Sequence, residues 1–141
     1  ISLGLVGSEM CIRDSIYTVA EMLARQDDIN VLMVKDYIRC PKVNGYRSYH
    51  MIIEVPVFFS DRKENMRVEV QIRTIAMDFW ASLDHQMKYK KDVEDASEIS
   101  EELKECAEVI AQTDLKMLSL RRKIEDRESK ENLLQFDKDP M

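Results

Sequence analysis

Three glycines, three prolines and three cysteines in 141 residues already exclude several kinds of protein. So little Gly and Pro rules out collagen-like and low-complexity chains, and an apolar share of 45% rules out a mainly disordered one. Cys11, Cys40 and Cys106 are odd in number, far apart and form no CxxC pair, so they encode neither a disulfide framework nor a zinc site. No apolar run reaches the roughly 18 residues of a membrane-spanning helix, which excludes an integral membrane protein of that type. The Walker string GxxxxGK[ST] is also missing, so an ordinary P-loop is excluded. The expectation is one reduced, cytoplasmic domain, large enough to bury roughly two-thirds of its unfolded surface.

The formal net charge of −6 hides a division. Residues 1–91 are nearly balanced at +1, while residues 92–141 carry −7. Within the balanced part, Lys35, Arg39, Lys42 and Arg47 face Asp36 alone, a local +3. A short basic segment in an acidic chain points to a small anionic ligand; a general nucleic-acid binder is more often basic across a whole face.

The opening string ISLGLVGSEMCIRDS reads unlike the rest. It lacks the basic n-region and the small-x-small cleavage site of a signal peptide, and it resembles a translated sequencing-adapter scar. Residues 1–15 are therefore set apart from the fold, with the expectation that the natural N-terminal segment is missing.

From Ile16 the hydrophobic pattern is regular. Ile16, Val19, Ala20 and Leu23 predict a short amphipathic helix, and Asn30–Ile38 a strand. Pro41, Asn44 and Gly45 mark a loop over residues 39–48. Tyr49–Phe59 and Arg67–Arg73 predict two more strands joined by SDRKEN as an antiparallel hairpin, with Pro56 at an edge position or a bulge. Residues 74–91 predict a helix burying Ala76, Trp80, Leu83 and Met87, with Phe79 and Trp80 assigned to the core. A helix of about thirty residues from Glu98 carries Ile99, Leu103, Cys106, Ile110, Thr113, Met117, Leu120 and Ile124 in heptad spacing. Residues 98–129 form the expected oligomerisation helix and residues 130–141 a flexible tail. The fold class is α+β: a small, mainly antiparallel sheet flanked by helices.

Two segments hold the chemistry. On the third strand Val68, Val70 and Ile72 face one way, and Arg67, Glu69, Gln71 and Arg73 the other. A solvated polar face explains this pattern; so does a site in which Glu69, between two guanidiniums, binds a metal ion or accepts a proton. Arg73 and Arg47 are candidates for holding phosphate. In PKVNGYRSYH, Lys42 and Arg47 supply charge and Tyr46 a ring suited to stacking on a base, although a plain polar hairpin loop explains the same composition. His50 and His85 lack metal-ligand spacing, so zinc is set aside.

The segment PKVNGYRSYH, followed by VEVQIRTIAMDFWASLDH, resembles the RelA/SpoT-type alarmone synthetases, and the small single-domain bacterial ones most. The likeness runs from about Ile16 to about Ile124. It implies a nucleotidyltransferase-like synthetase domain acting as a GTP pyrophosphokinase. Such an enzyme moves the β,γ-diphosphate of ATP to the ribose 3′-hydroxyl of GTP or GDP, making (p)ppGpp in the stringent response. By that resemblance Tyr46 stacks on the acceptor guanine, and Lys35, Lys42, Asn44 and His50 contact the acceptor nucleotide. Glu69 helps hold Mg²⁺ and draws the proton from the 3′-hydroxyl, while Gln71 positions the acceptor. A homotetramer is implied as well.

The family's Mg²⁺-binding aspartate lies on a strand upstream of the segment resembling IYTVAEML, with the arginines and lysine that grip ATP further upstream. Asp14 falls too close to Ile16 to replace that aspartate. Residues 16–97 are therefore expected to be a partial synthetase domain, inactive alone and with a bare sheet edge prone to aggregation. The alternative is a non-catalytic, guanine-nucleotide-sensing oligomeric module; RNA binding through residues 35–47 is disfavoured by the overall acidity.

Overall fold

The structure is a computed structural model and describes residues 4–10, 13–89 and 96–136. In chain order the elements are β1 (Gly4–Met10), α1 (Arg13–Ala24), β2 (Asn30–Asp36), β3 (Tyr49–Phe58), β4 (Lys63–Thr74), α2 (Ile75–Tyr89) and α3 (Ala96–Phe136). The strands form one sheet in the order β1-β4-β3-β2. β2–β3 and β3–β4 are antiparallel, and β1 runs parallel to β4. This is the expected α+β layout with a mainly antiparallel sheet.

One face of the sheet builds the core. Val68, Val70 and Ile72 of β4 alternate inward and meet Met51 and Ile53 of β3. α1 lays Ile16 and Ala20 on them, with Val19 and Leu23 at the margin, as the helical stripe predicts. Met77 of α2 and Ile38 of the β2–β3 loop complete this cluster. Pro56 sits opposite Asn65 but beyond Glu54, the last β3 residue paired to β2. A missing N–H costs nothing there, because β3 is locally an edge.

Several expectations need correction. The β4 edge is not bare: Gly4–Met10 pairs along it from Val68 to Thr74, satisfying its main-chain groups. Gly4–Met10 thus contributes a strand and residues 13–15 begin α1, where the Arg13 guanidinium donates to the Ile38 carbonyl. Phe79 is 63% exposed, because the buried stripe of α2 passes through Met77 and Trp80 and leaves Phe79 on another side. Met87 is exposed too. α3 runs 41 residues to Phe136, through part of the expected tail.

The packed row of α3 also differs from the heptad seam. Leu103, Ala107 and Asp114 are buried, with Ile110 beside them, whereas Cys106, Met117, Leu120 and Ile124 are exposed. A straight α-helix has 3.6 residues per turn and drifts away from a 3.5-residue repeat. Packing on a compact body therefore selects a row near four-residue spacing, and the small Ala107 lets another segment approach. From Ser119 to Phe136 every residue is exposed.

Candidate functional site

The face of the sheet opposite the core carries the polar side chains of β4. Strand pairing places Lys35 of β2, His50 of β3 and Gln71 of β4 in one transverse row, and Met33, Ile52 and Glu69 in the next. Period-two alternation puts Glu69, Gln71 and Arg73 on this face once Val70 and Ile72 are committed to the core.

The β2–β3 loop then closes over one end of the row. Gly45 N–H donates to the Lys42 carbonyl at 2.9 Å, and Lys42 N–H to the Tyr46 carbonyl at 3.1 Å, so residues 42–46 form a tight turn. Asn44 Oδ1 accepts from Tyr46 N–H at 3.1 Å, fixing the turn from within. Gly45 has φ 97°, in the left-handed region that favours glycine. This turn delivers Tyr46 to the sheet face.

There the polar groups form one connected chain. Arg73 donates through Nη2 to the Tyr46 hydroxyl at 3.0 Å, and that hydroxyl meets His50 Nε2 at 2.9 Å. On its other side His50 Nδ1 lies 3.1 Å from Glu69 Oε1. Because the Tyr46 oxygen already accepts from Arg73, its own proton is directed to Nε2, and the neutral imidazole donates from Nδ1 to Glu69. Burial holds the His50 pKa below its ordinary value; Glu69 opposes this, while Arg73, Lys42 and Lys35 add to it. Gln71 Nε2 donates to the same Glu69 oxygen at 3.3 Å. Glu69 Oε1 thus has two donors, and among the described residues Oε2 has none.

Cations and rings surround this chain. Lys42 Nζ stands 4.9 Å from the Tyr37 ring centre and 5.1 Å from that of Tyr46. The Arg73 guanidinium lies over the Tyr46 ring at 5.6 Å and pairs with Asp78 at 2.9 Å. Its buried Nε finds no acceptor among the described residues.

Glu69, Gln71, Arg73, His50, Lys35, Lys42 and Tyr46 are therefore brought to one face or its rim, and Asn44 serves the turn beneath them. Arg47 is not among them. Its guanidinium points to α3, where it donates to the Ala107 carbonyl and pairs with Glu108 at 3.0 Å, away from the face that gathers the other candidates. His85 is exposed on α2. Tyr37 and Asp78 belong to the site and were missed; Tyr37 follows Lys35 at the strand period of two, and Asp78 stands in the first turn of α2. Among the described residues no group of three or more His, Cys, Asp or Glu side chains converges as a metal site.

A sheet of this order with α2 following β4 and a long C-terminal helix is the fold of the small alarmone synthetases. The crystal structure of small alarmone synthetase 2 from Bacillus subtilis superposes with a TM-score of 0.80 at 45% identity, covering 84% of this chain and 65% of that one. Small alarmone synthetase 1 from Bacillus subtilis, bound to its product pppGpp, gives a TM-score of 0.74 at 31% identity, covering 86% and 60%. Residues 9–94 match the family described as a region found in RelA / SpoT proteins. The chain belongs to this family.

Among its relatives, the GTP pyrophosphokinase YwaC of Bacillus subtilis is 47% identical over 110 residues, 78% of this chain and 52% of that protein. The GTP pyrophosphokinase YjbM of the same organism is 34% identical over 113 residues, 80% of this chain and 54% of that protein. The chain spans about half the length of these relatives.

Proposed function

We propose that this chain carries the acceptor site of a GTP pyrophosphokinase, which transfers the β,γ-diphosphate of ATP to the 3′-hydroxyl of GTP or GDP and makes (p)ppGpp in the stringent response. The observation that carries this reading is the imidazole of His50, which joins a ring suited to stacking, Tyr46, to a carboxylate, Glu69, on one sheet face. The guanine lies against Tyr46, and the phosphates of the acceptor are drawn to Lys35 and Lys42. His50 and Gln71 hold Glu69 through Oε1, so Oε2 takes the proton of the ribose hydroxyl. The freed oxygen attacks the β-phosphorus, the bond to the α,β-bridging oxygen breaks, and AMP leaves. Orientation and charge neutralisation do most of the work, as in other phosphoryl transfers.

Mg²⁺ fits the same carboxylate. It prefers hard oxygens and is commonly bound by one or two carboxylates together with substrate phosphates and water. The Glu69 carboxylate is a ligand of that kind, and the ion would neutralise phosphate charge beside it. Arg73, whose guanidinium stands over the Tyr46 ring, is a further candidate phosphate contact.

Among the described residues Glu69 joins no group of three or more His, Cys, Asp or Glu side chains, and the carboxylate of Asp78 is held by Arg73; we propose that the chain binds the acceptor and needs further residues to grip ATP and metal. The same observation favours a second reading, a non-catalytic module that senses guanine nucleotide. A cytoplasmic location and a homotetramer assembled through α3 complete the first reading; no helix among the described residues is long and apolar enough to cross a membrane.

Label transfer from ATP to GDP separates the two readings. It should be slow or absent with this chain and appear when the upstream half of a full-length relative is joined to it. In that joined protein Glu69→Gln should cut the rate about 10²–10⁴-fold, the range of a lost general base. No transfer from the joined protein would favour the sensing module, and full activity in Glu69→Gln would remove Glu69 from the reaction.

A further inference from the structure

The loop that delivers Tyr46 is built on α3 as well as on the sheet. Gly45 is buried against that helix: a Cβ added to it would stand 2.7 Å from the Cβ of Ala107. The Arg47 side chain is 11% exposed and reaches the same turn of α3. Its Nη1 donates to the Gly45 carbonyl at 3.1 Å and to the Ala107 carbonyl at 3.3 Å, and its Nη2 pairs with Glu108 at 3.0 Å. One turn earlier Trp80 Nε1 donates to the Leu103 carbonyl at 2.7 Å. Two main-chain oxygens of α3 are thus taken up by side chains, one from the loop and one from α2. Tyr46 lies between the two loop attachments and packs on the Trp80, Leu103 and Ala107 cluster.

We propose that Arg47 is a positioning residue: it ties the Tyr46 turn to α3, so that a helix on the far side of the loop sets the affinity for the acceptor nucleotide. The proposal rests on the reading of Tyr46 as the base-stacking residue. The planar guanidinium is suited to this task because its fork of donors spans a loop carbonyl, a helix carbonyl and a carboxylate together. A lysine keeps the charge but cannot span them. Without the tie the turn samples other arrangements, and apparent affinity falls in proportion to the fraction still competent. Trp80, the only tryptophan, reports on the junction from within.

The test is GDP binding by calorimetry to the full chain, with Trp80 emission recorded at each addition. Arg47→Lys should bind GDP about tenfold more weakly, as a competent fraction near one-tenth requires, and should lose the GDP-dependent change in emission. Glu108→Ala, at an exposed position that leaves folding intact, should weaken binding in the same direction by a smaller factor. Tyr46→Ala serves as the control for the underlying reading. Wild-type affinity in Arg47→Lys alongside weak binding in Tyr46→Ala would overturn the positioning role and leave the acceptor site standing. An unfolded Arg47→Lys with unchanged binding in Glu108→Ala would overturn it too, and a wild-type chain that ignores GDP would overturn both.

Discussion

Gly45 shows how much one residue can settle. Its φ of 97° costs an ordinary L-residue about 1–2 kcal/mol, and a methyl group there would press on Ala107 at 2.7 Å. Gly45→Ala is expected to destabilise the chain by about 2–3 kcal/mol in urea unfolding, combining backbone strain with overpacking. Tyr46→Ala removes the stacking ring and should weaken GDP binding about 10–100-fold, the range of a lost base–aromatic contact; it should also lower the unfolding midpoint, since the ring packs on Trp80 and its hydroxyl bonds Arg73 and His50. The alternating residues of β4 were legible at this scale because a strand has only two faces, and burying Val70 and Ile72 leaves Glu69 and Gln71 no other side. Arg47 was not legible. Its type and its place beside Tyr46 suit phosphate as well as they suit Ala107 and Glu108, and only the approach of α3 separates the two.

Between elements, the junction of β4, α2 and α3 turns on a buried carboxylate. Thr74 caps α2 by accepting from Met77 N–H at 3.1 Å, and its hydroxyl donates to Asp114 Oδ2 at 2.6 Å. Burial raises the Asp114 pKa above its ordinary value, while the Thr74 hydrogen bond and the charge of Arg13 pull it down. A folded-state pKa above the unfolded value means that the folded chain binds the proton more tightly. The penalty is therefore absent below the unfolded value and grows as pH rises through the carboxylate range. Asp114→Asn keeps an acceptor for Thr74 and removes the charge. Its Tm should exceed that of the wild type at neutral pH, and the advantage should vanish in acid, where the carboxyl is protonated in both states. A lower Tm at neutral pH would show instead that attraction to Arg13 outweighs burial. The spacing of apolar residues along α3 revealed a helix but not its packed row, because a polar Asp114 facing inward contradicts any rule based on hydrophobicity.

Across the whole molecule, the second half of α3 stands apart from the core. A helix of 41 residues is about 60 Å long, and its buried residues end at Asp114; past them Arg121 and Arg122 reach only the exposed Ser15 and Asp14 of α1. Leu120 and Ile124, on either side of those arginines, are exposed at 44% and 56%. Apolar residues grouped on an exposed helix mark an interface between chains more often than a solvated face. Replacing both with Glu should shift the sedimentation coefficient to that of a smaller species while leaving the unfolding midpoint near the wild-type value. An unchanged coefficient would count against assembly through this helix. β1 also belongs to this scale, since a parallel strand on β4 joins segments some sixty residues apart, and its short apolar run gave no local sign of a partner.

Local periodicity determined the helices α1 and α2, the three antiparallel strands, the polar face of β4 and the glycine turn before Tyr46. Each follows from side-chain spacing or from one residue's backbone preference, which need no distant neighbour. Tertiary structure alone decided that His50 links Tyr46 to Glu69, that the Arg47 side chain meets Ala107 and Glu108 of α3, and that β1 pairs along β4. Those outcomes depend on which distant segments meet, and a hydrogen-bonding side chain takes its role from the partner that packing brings within reach.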